Sequence, residues 1–406
     1  MIPRGVPDIG WNDLLYGLLS CVWPADACQA QAQAEAAWSS SVDSLACLSV
    51  RSGFDLVLQA LDLSPGSEVL VSAITIRDMV AILEHHQLVP IPIDIDMQTL
   101  TVDQTSLLRA ITPQTKAILI AHLFGSRMPM EPIVQVARQH GLHLIEDCAQ
   151  AYAGEAYRGH PASDVCMFSF GPIKTHTTLG GAILRFKSHE MLDKVRTITA
   201  RYPRQPVSVF LRRLGLFALL KLLAHPLPLQ IFFALCRWRG IDHDQALYRA
   251  LRGFAGGEIM RRIRQQPCRP LLQLLRRRLQ QSPKTTITKR CAYAQQINAY
   301  LPLTSRLGAH AKQHTHWVLP IQTHDPTRLL QMLQHAGFDA TQRASSLYVV
   351  PPSPQHSAQI PLQAVRAMAQ VVYLPLYLSL SERDIRHLGE IITAFESRCF
   401  VEVDMR

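Results

Sequence analysis

From Leu45 to Arg185 the chain alternates short, near-continuous apolar runs with helical stretches, and this alternation restricts its fold more than any other feature. The runs are Glu68 to Ser72, Val89 to Ile95, Ala117 to His122, His143 to Asp147 and Val165 to Phe170. A strand with one wet face alternates apolar and polar residues, whereas a strand that is apolar throughout needs cover on both faces. The pattern therefore predicts an α/β fold, a mostly parallel sheet with helices on both faces. Such sheets bind ligands beyond the carboxyl ends of their strands, so residues at those ends are the first candidates for chemistry.

Lys174 follows the last run after a Gly171-Pro172 break, with Ser169 just before it and Gly180-Gly181 just after. Two readings fit it: a solvated loop lysine, or an amine that forms a Schiff base near a phosphate binder, with glycines letting the backbone approach a flat cofactor. Asp147 ends the run before. It either caps a helix starting near Ala149 or keeps a pyridine nitrogen protonated, which is what the ring of pyridoxal 5'-phosphate (PLP) needs to accept electrons. Further upstream, Arg51-Ser52-Gly53-Phe54 opens a helix. The small residues there offer backbone N–H groups to an anion at the helix's positive end. His176 reads as a proton carrier or as a hydrogen-bonded bystander.

In this order, the stretches Arg51 to Leu61, Pro92 to Asp96, Ile111 to Ala117, His122 to Gly125, Ile145 to Ala151 and Ser169 to Lys174 resemble the DegT/DnrJ/EryC1/StrS aminotransferases. The resemblance implies a PLP-transferase of fold type I with a small C-terminal α+β domain. It makes Lys174 the Schiff-base lysine and Asp147 the partner of the pyridine nitrogen, and puts Gln150 against the ring or its phenolic oxygen. Ser52, Ser169 and the backbone of Gly53 and Phe54 would hold the phosphate. Departures accompany the matches. Phe54 stands where the family has threonine, Ile76 where an aromatic covers the ring, and the glycine loop after Lys174 is two residues shorter. The family's Tyr-Asn-Tyr-Arg-Met segment has no clear match.

The net charge of +10 is localised. Residues 201–290 carry 19 of the 41 Lys/Arg and three of the 31 Asp/Glu. The apolar arms Val207 to Ala224 and Leu229 to Trp238 inside this segment are too short and too interrupted to span a bilayer, which needs about 20 apolar residues. One reading is a helical hairpin at a membrane surface, with Phe210, Leu214, Phe217, Leu220 and Ile231 to Leu235 entering the acyl boundary. Arg212, Arg213, Lys221, Arg237 and Arg239 would then meet anionic headgroups. The other reading is burial against the core or a partner subunit. The basic run Arg261 to Arg278 has few interleaved aromatics, and nucleic acid is not expected as a partner. Nine cysteines without a CxxC or Cys/His pattern predict free thiols and no metal site. Ala25-Asp-Ala27 imitates a cleavage site, but Asp8 and Asp13 make the leading stretch a poor secretory signal, so a cytoplasmic protein is expected, peripheral on the inner face of the membrane if the hairpin docks.

These readings divide the chain into an arm and large PLP-binding domain at 1–200, a basic apolar insertion at 201–287 and a small domain at 288–406. Within the last, His314 to Trp317 and Ser345 to Tyr348 are candidates for a substrate mouth. By resemblance, the expected activity moves an amino group from glutamate or glutamine to a nucleotide-linked keto-sugar, in cell-surface glycan biosynthesis, on a homodimer. Lysine at position 174 separates the chain from the family's sugar dehydratases, which carry histidine there. Two alternatives follow from the insertion and the departures: a lipid-linked ketone as acceptor, or a membrane-associated PLP binder without turnover.

Overall fold

The computed structural model describes residues 2–240, 259–342, 347–353, 356 and 359–404, without the side chains of 226, 233, 237 and 398–404. After helices α1 (Trp11–Val22) and α2 (Ala27–Trp38) come β1 (Ser44–Cys47), α3 (Val50–Leu61), β2 (Glu68–Ser72), β3 (Ile74–Ile76) and α4 (Arg77–His85). The chain continues through β4 (Val89–Ile93), the short pair β5 (Ile95–Asp96) and β6 (Thr101–Val102), α5 (Gln104–Ala110), β7 (Thr115–Ala121) and α6 (Glu131–His140). Then follow β8 (His143–Asp147), β9 (Val165–Ser169), β10 (Ala182–Phe186) and α7 (His189–Ala200).

Seven of these strands form one sheet in the order β1-β10-β9-β8-β7-β2-β4. β4, β2, β7, β8 and β9 pair in parallel, and β10 runs antiparallel to both β9 and β1. The strands alternate their side chains between two fully covered layers. Val69, Val71, Leu119 and Met167 pack with α3 and α4 on one face, while Leu70, Ile118, Ile120 and Leu144 pack with α5 and α6 on the other. This double burial is why the strands read as continuous apolar runs. β1 and β10 escape the sequence reading because each is short and β10 carries Arg185, whose guanidinium turns to the His160 carbonyl and Cys166.

The C-terminal part packs β11 (Leu319–Gln322) antiparallel to β13 (Val371–Leu374), under the helices Lys284–Asn298, Pro326–His335 and Glu382–Asp404. β12 (Leu347–Val349) leaves this unit to pair with β3 of the large domain. Of the candidate mouth, Ser345 and Ser346 lie outside the described residues.

The basic segment departs from its expected role. It forms α8 (Val207–Leu223) and α9 (Pro226–Trp238), and among the described residues no helix is long and apolar enough to cross a membrane. Phe210, Leu214 and Phe217, expected in lipid, are each 1% exposed and pack on Ile9, Leu14, Leu179 and Leu271. Gly17 of α1 makes this crossing possible, because a Cβ there would lie 2.8 Å from Leu214. Arg213, expected at headgroups, donates to the Leu179 carbonyl at 2.9 Å. The side chain of Arg237 is outside the description. Helix Arg269–Leu279, placed by the sequence reading within the insertion, packs its leucines on Trp38, Phe168 and Ile183 of the large domain. The basic run is spent inside the fold as well. Arg264 pairs with Asp55 at 3.0 Å, Arg277 and Arg278 pair with Asp13 at 2.8 and 2.9 Å, and Arg276 donates to Gln33.

Candidate active site

Strands β8 and β9 end side by side, with Asp147 opposite Met167, and their ends bring Asp147 and Ser169 to the same edge of the sheet. The Gly171-Pro172 break turns the chain so that the Lys174 N–H donates to the Gly171 carbonyl at 3.0 Å. The Lys174 side chain reaches a cavity of about 530 Å³ lying between the sheet edge, the N-terminal arm and the C-terminal part. Trp317 covers the amine, with Lys174 Nζ 3.9 Å from its ring centroid, and its own Nε1 donates to the Ile173 carbonyl at 2.9 Å. Trp317 thus brings to Lys174, from the C-terminal part, an aromatic ring that the Ser72–Ile76 stretch does not supply. The sequence signal for it was its place in the His314–Trp317 segment.

The two ionisable groups at this edge are displaced in opposite directions. Burial pushes the Lys174 amine down to about 7, partly opposed by Asp147 and helped by the positive charge of Arg51. Burial also raises the Asp147 carboxyl, against the Ala149 N–H at 2.9 Å and the charges of Lys174, His122 and Arg51. Burial disfavours the charged form of each group, so each shift has the sign expected for a site poised to exchange protons. Lys174 is then half neutral near pH 7. Its reactivity toward a soluble aldehyde, trapped by cyanoborohydride and read by mass, should rise about tenfold per pH unit up to about pH 7 and flatten above. For an unperturbed lysine the rise would continue to about pH 10.4.

The remaining candidate residues have the following partners in the fold. Gly53 sits where a Cβ would lie 2.4 Å from Leu184, so it allows α3 to pack closely on β10, and its N–H donates to the Ser49 carbonyl. Phe54 is fully buried in the core beside that contact. Ser52 shares a hydrogen bond of 2.9 Å with the helix cap Ser49 at the head of α3. Ser169 accepts from the Gly171 N–H at 3.3 Å. Gln150 holds the loop after β7, its carbonyl oxygen accepting from the Phe124 N–H at 2.7 Å. Gly180 makes room for the Arg213 guanidinium, 3.0 Å from where a Cβ would lie, and Gly181 takes a positive φ of 83°. His176 is buried, its N–H on Asp8 and its Nε2 on the Arg278 carbonyl, and burial lowers it to about 4. His122, the rim candidate, is buried beneath the sheet edge in a network on Glu146, which also binds the His160 N–H and Ser163. Asp94 caps the C-terminal helix Leu362–Gln370 through the Gln363 and Ala364 N–H groups.

Residues 29–204 match the model of the DegT/DnrJ/EryC1/StrS aminotransferase family. Over that segment, less than half of the chain, the sequence is similar to this family. GDP-perosamine synthase of Caulobacter vibrioides is 34% identical over 157 residues, 38% of this chain and 42% of that protein. The dTDP-3-amino-3,4,6-trideoxy-alpha-D-glucose transaminase of Streptomyces venezuelae is 34% identical over 166 residues, 39% and 44% of the two chains. The chain thus spans less than half the length of these curated relatives. The fold likeness is wider. The PLP-form of a sugar aminotransferase from Streptococcus pneumoniae superposes with a TM-score of 0.67 at 16% identity, covering 97% of this chain and 98% of that one. The family's PLP-transferase architecture therefore extends through the C-terminal part, where sequence identity has faded.

Proposed function

We propose that the protein is a PLP-dependent aminotransferase that moves an amino group from an amino acid, glutamate or glutamine, to a nucleotide-linked keto-sugar. The observation that carries this reading is the pair Lys174 and Asp147 at one sheet edge, close enough for each charge to act on the other and displaced in opposite directions by burial, with Lys174 lining the cavity. The residues fit the cofactor chemically. A protonated pyridine nitrogen would give the buried Asp147 the cation it lacks, Lys174 supplies a neutral amine, and Ser169 with Ser52 supplies hydroxyls near the head of α3. When bound, PLP acts as an electron sink for the carbon that loses its proton. The protein's part is to hold Asp147 ionised against the ring, to exclude water with Trp317 and the arm, and to let Lys174 Nζ take and return the proton. The substrate class is supported by the two relatives, a GDP-perosamine synthase and a dTDP-3-amino-3,4,6-trideoxy-alpha-D-glucose transaminase. A place in polysaccharide synthesis is supported by a further relative, a spore coat polysaccharide biosynthesis protein of Bacillus subtilis. The test is incubation with glutamate or glutamine and nucleotide-linked keto-sugars, following the new amine by mass. No amine with any of these acceptors, alongside normal cofactor binding, would favour the PLP binder without turnover.

Assembly and location complete the proposal. A homodimer in the cytoplasm follows from the family resemblance, and its check is the mass in solution. Attachment to an anionic membrane surface is supported by apolar side chains left exposed on α8 and α9, Leu222, Ile231 and Trp238, with Leu19 and Val22 of α1 and Trp23 just after it. Arg212 and Arg239 are exposed among them, which suits acidic headgroups. Leu222→Ser with Ile231→Ser and Trp238→Ser should release the protein from anionic liposomes without lowering its melting point. A shift from dimer to monomer in place of that release would assign the face to a second copy. Phe217→Ala should instead cost about 3–5 kcal/mol of stability, the range for emptying a buried aromatic site, measured by urea unfolding.

A further inference from the structure

Arg290 is left over by the transamination chemistry. It lies on the helix Lys284–Asn298, is 6% exposed, and lines the same cavity as Lys174. Its Nη2 donates at 3.0 Å to Oγ1 of Thr175, the residue next to Lys174, while its buried Nε has no hydrogen-bond partner. Among the described residues no carboxylate stands within ion-pair distance of it. Asp8, whose charge reaches it, is engaged with the His176 N–H and lies 3.8 Å from Arg278. A guanidinium does not shed its proton to relieve burial, and an unpaired buried charge is strongly unfavourable. The contrast with Arg278 is direct, because that side chain is equally buried and held by Asp13.

A second cation stands on the cavity wall. Lys221 is carried in by α8, the helix anchored through Phe217, and it is half-buried. The family match ends at residue 204, so Lys221 lies outside the matched segment.

We propose that Arg290, with Lys221 beside the same cavity, is the seat of an anionic group, a carboxylate or a phosphate, of the molecule processed at Lys174. The identity of that molecule rests on the aminotransferase reading. The anion has two sources, the carboxylate of the amino donor or the diphosphate of the acceptor, and one experiment separates them. Glutarate and UDP are titrated calorimetrically into the full chain and into Arg290→Met, alongside thermal melting of both proteins without anion.

The wild type is expected to bind at least one of the two. Arg290→Met should weaken that anion by about 30-fold or more, the effect of losing hydrogen bonds to a charged group. Its melting point should stay level or rise, because an apolar chain replaces an unpaired buried charge. Weakened glutarate assigns the seat to the donor, and weakened UDP assigns it to the acceptor. Lys221→Met should weaken the same anion by a smaller factor. The proposal is overturned if the wild type binds neither compound or if Arg290→Met binds as the wild type does. Should Arg290→Met not fold, Arg290→Lys decides: reduced affinity supports the seat, whereas unchanged affinity makes Arg290 a structural pin. None of these readouts uses turnover or pyridoxyl labelling, so failure here is distinct from failure of the aminotransferase reading.

Discussion

Lys174→Ala should leave no pyridoxyl group on the protein after borohydride reduction and should lower amine formation by more than about 10⁴-fold, combining loss of the covalent anchor with loss of the proton carrier. The structure singles out this lysine. It stands at the sheet edge, its amine lies against the ring of Trp317, and burial has brought it down to about 7, where it accepts a proton as readily as it gives one back. Peptide mapping of the reduced wild type should recover the label on Lys174 alone. Recovery on another lysine would remove this residue from its assigned role.

Asp147→Ala is expected to lower turnover by about 10² to 10⁴-fold, the range for a positioned electrostatic or acid–base group, while cofactor retention falls much less. The reasoning turns on how Asp147 is held. The Ala149 N–H fixes Oδ1, so the carboxylate is oriented before anything binds, and burial makes its charge expensive until a cation arrives opposite it. Asp147→Asn preserves the shape and the Ala149 contact without the charge. It should therefore fall nearly as far as alanine, and near-normal turnover in Asp147→Asn would show that orientation alone suffices.

Much of this site was legible in the sequence because it obeys local rules. A strand apolar throughout ends in Asp147, another ends at Ser169, and a Gly-Pro break delivers Lys174. What could not be read was where long-range partners arrive. Trp317 and Arg290 come from the C-terminal part, more than a hundred residues away, and no local pattern marks them as neighbours of Lys174. The glycines misled for a related reason. Gly53 and Gly180 signal close approach, but the approaching groups are Leu184 and Arg213, not a ligand. Charge in the insertion was counted correctly, yet its disposition was hidden: Asp13 and Asp55, remote in sequence, draw several of those arginines inward.

The N-terminal arm gives the cavity a property beyond shape. Ile2 exchanges backbone hydrogen bonds with Gly337 and Asp339, and Arg4 pairs with Asp339, so the arm's first residues belong to the small domain. Asp8, a few residues on, accepts from the His176 N–H and faces Arg278, and so belongs to the large one. Residues Arg4 to Gly10 between these two anchors also line the cavity. A molecule filling the cavity would therefore touch a segment anchored on both sides of it. By reciprocity, whatever free energy binding in the cavity spends in shifting this segment would return as a change in affinity when the segment is displaced by other means. The seven residues from Arg4 to Gly10 thus make one wall of the cavity a strap pinned at both ends.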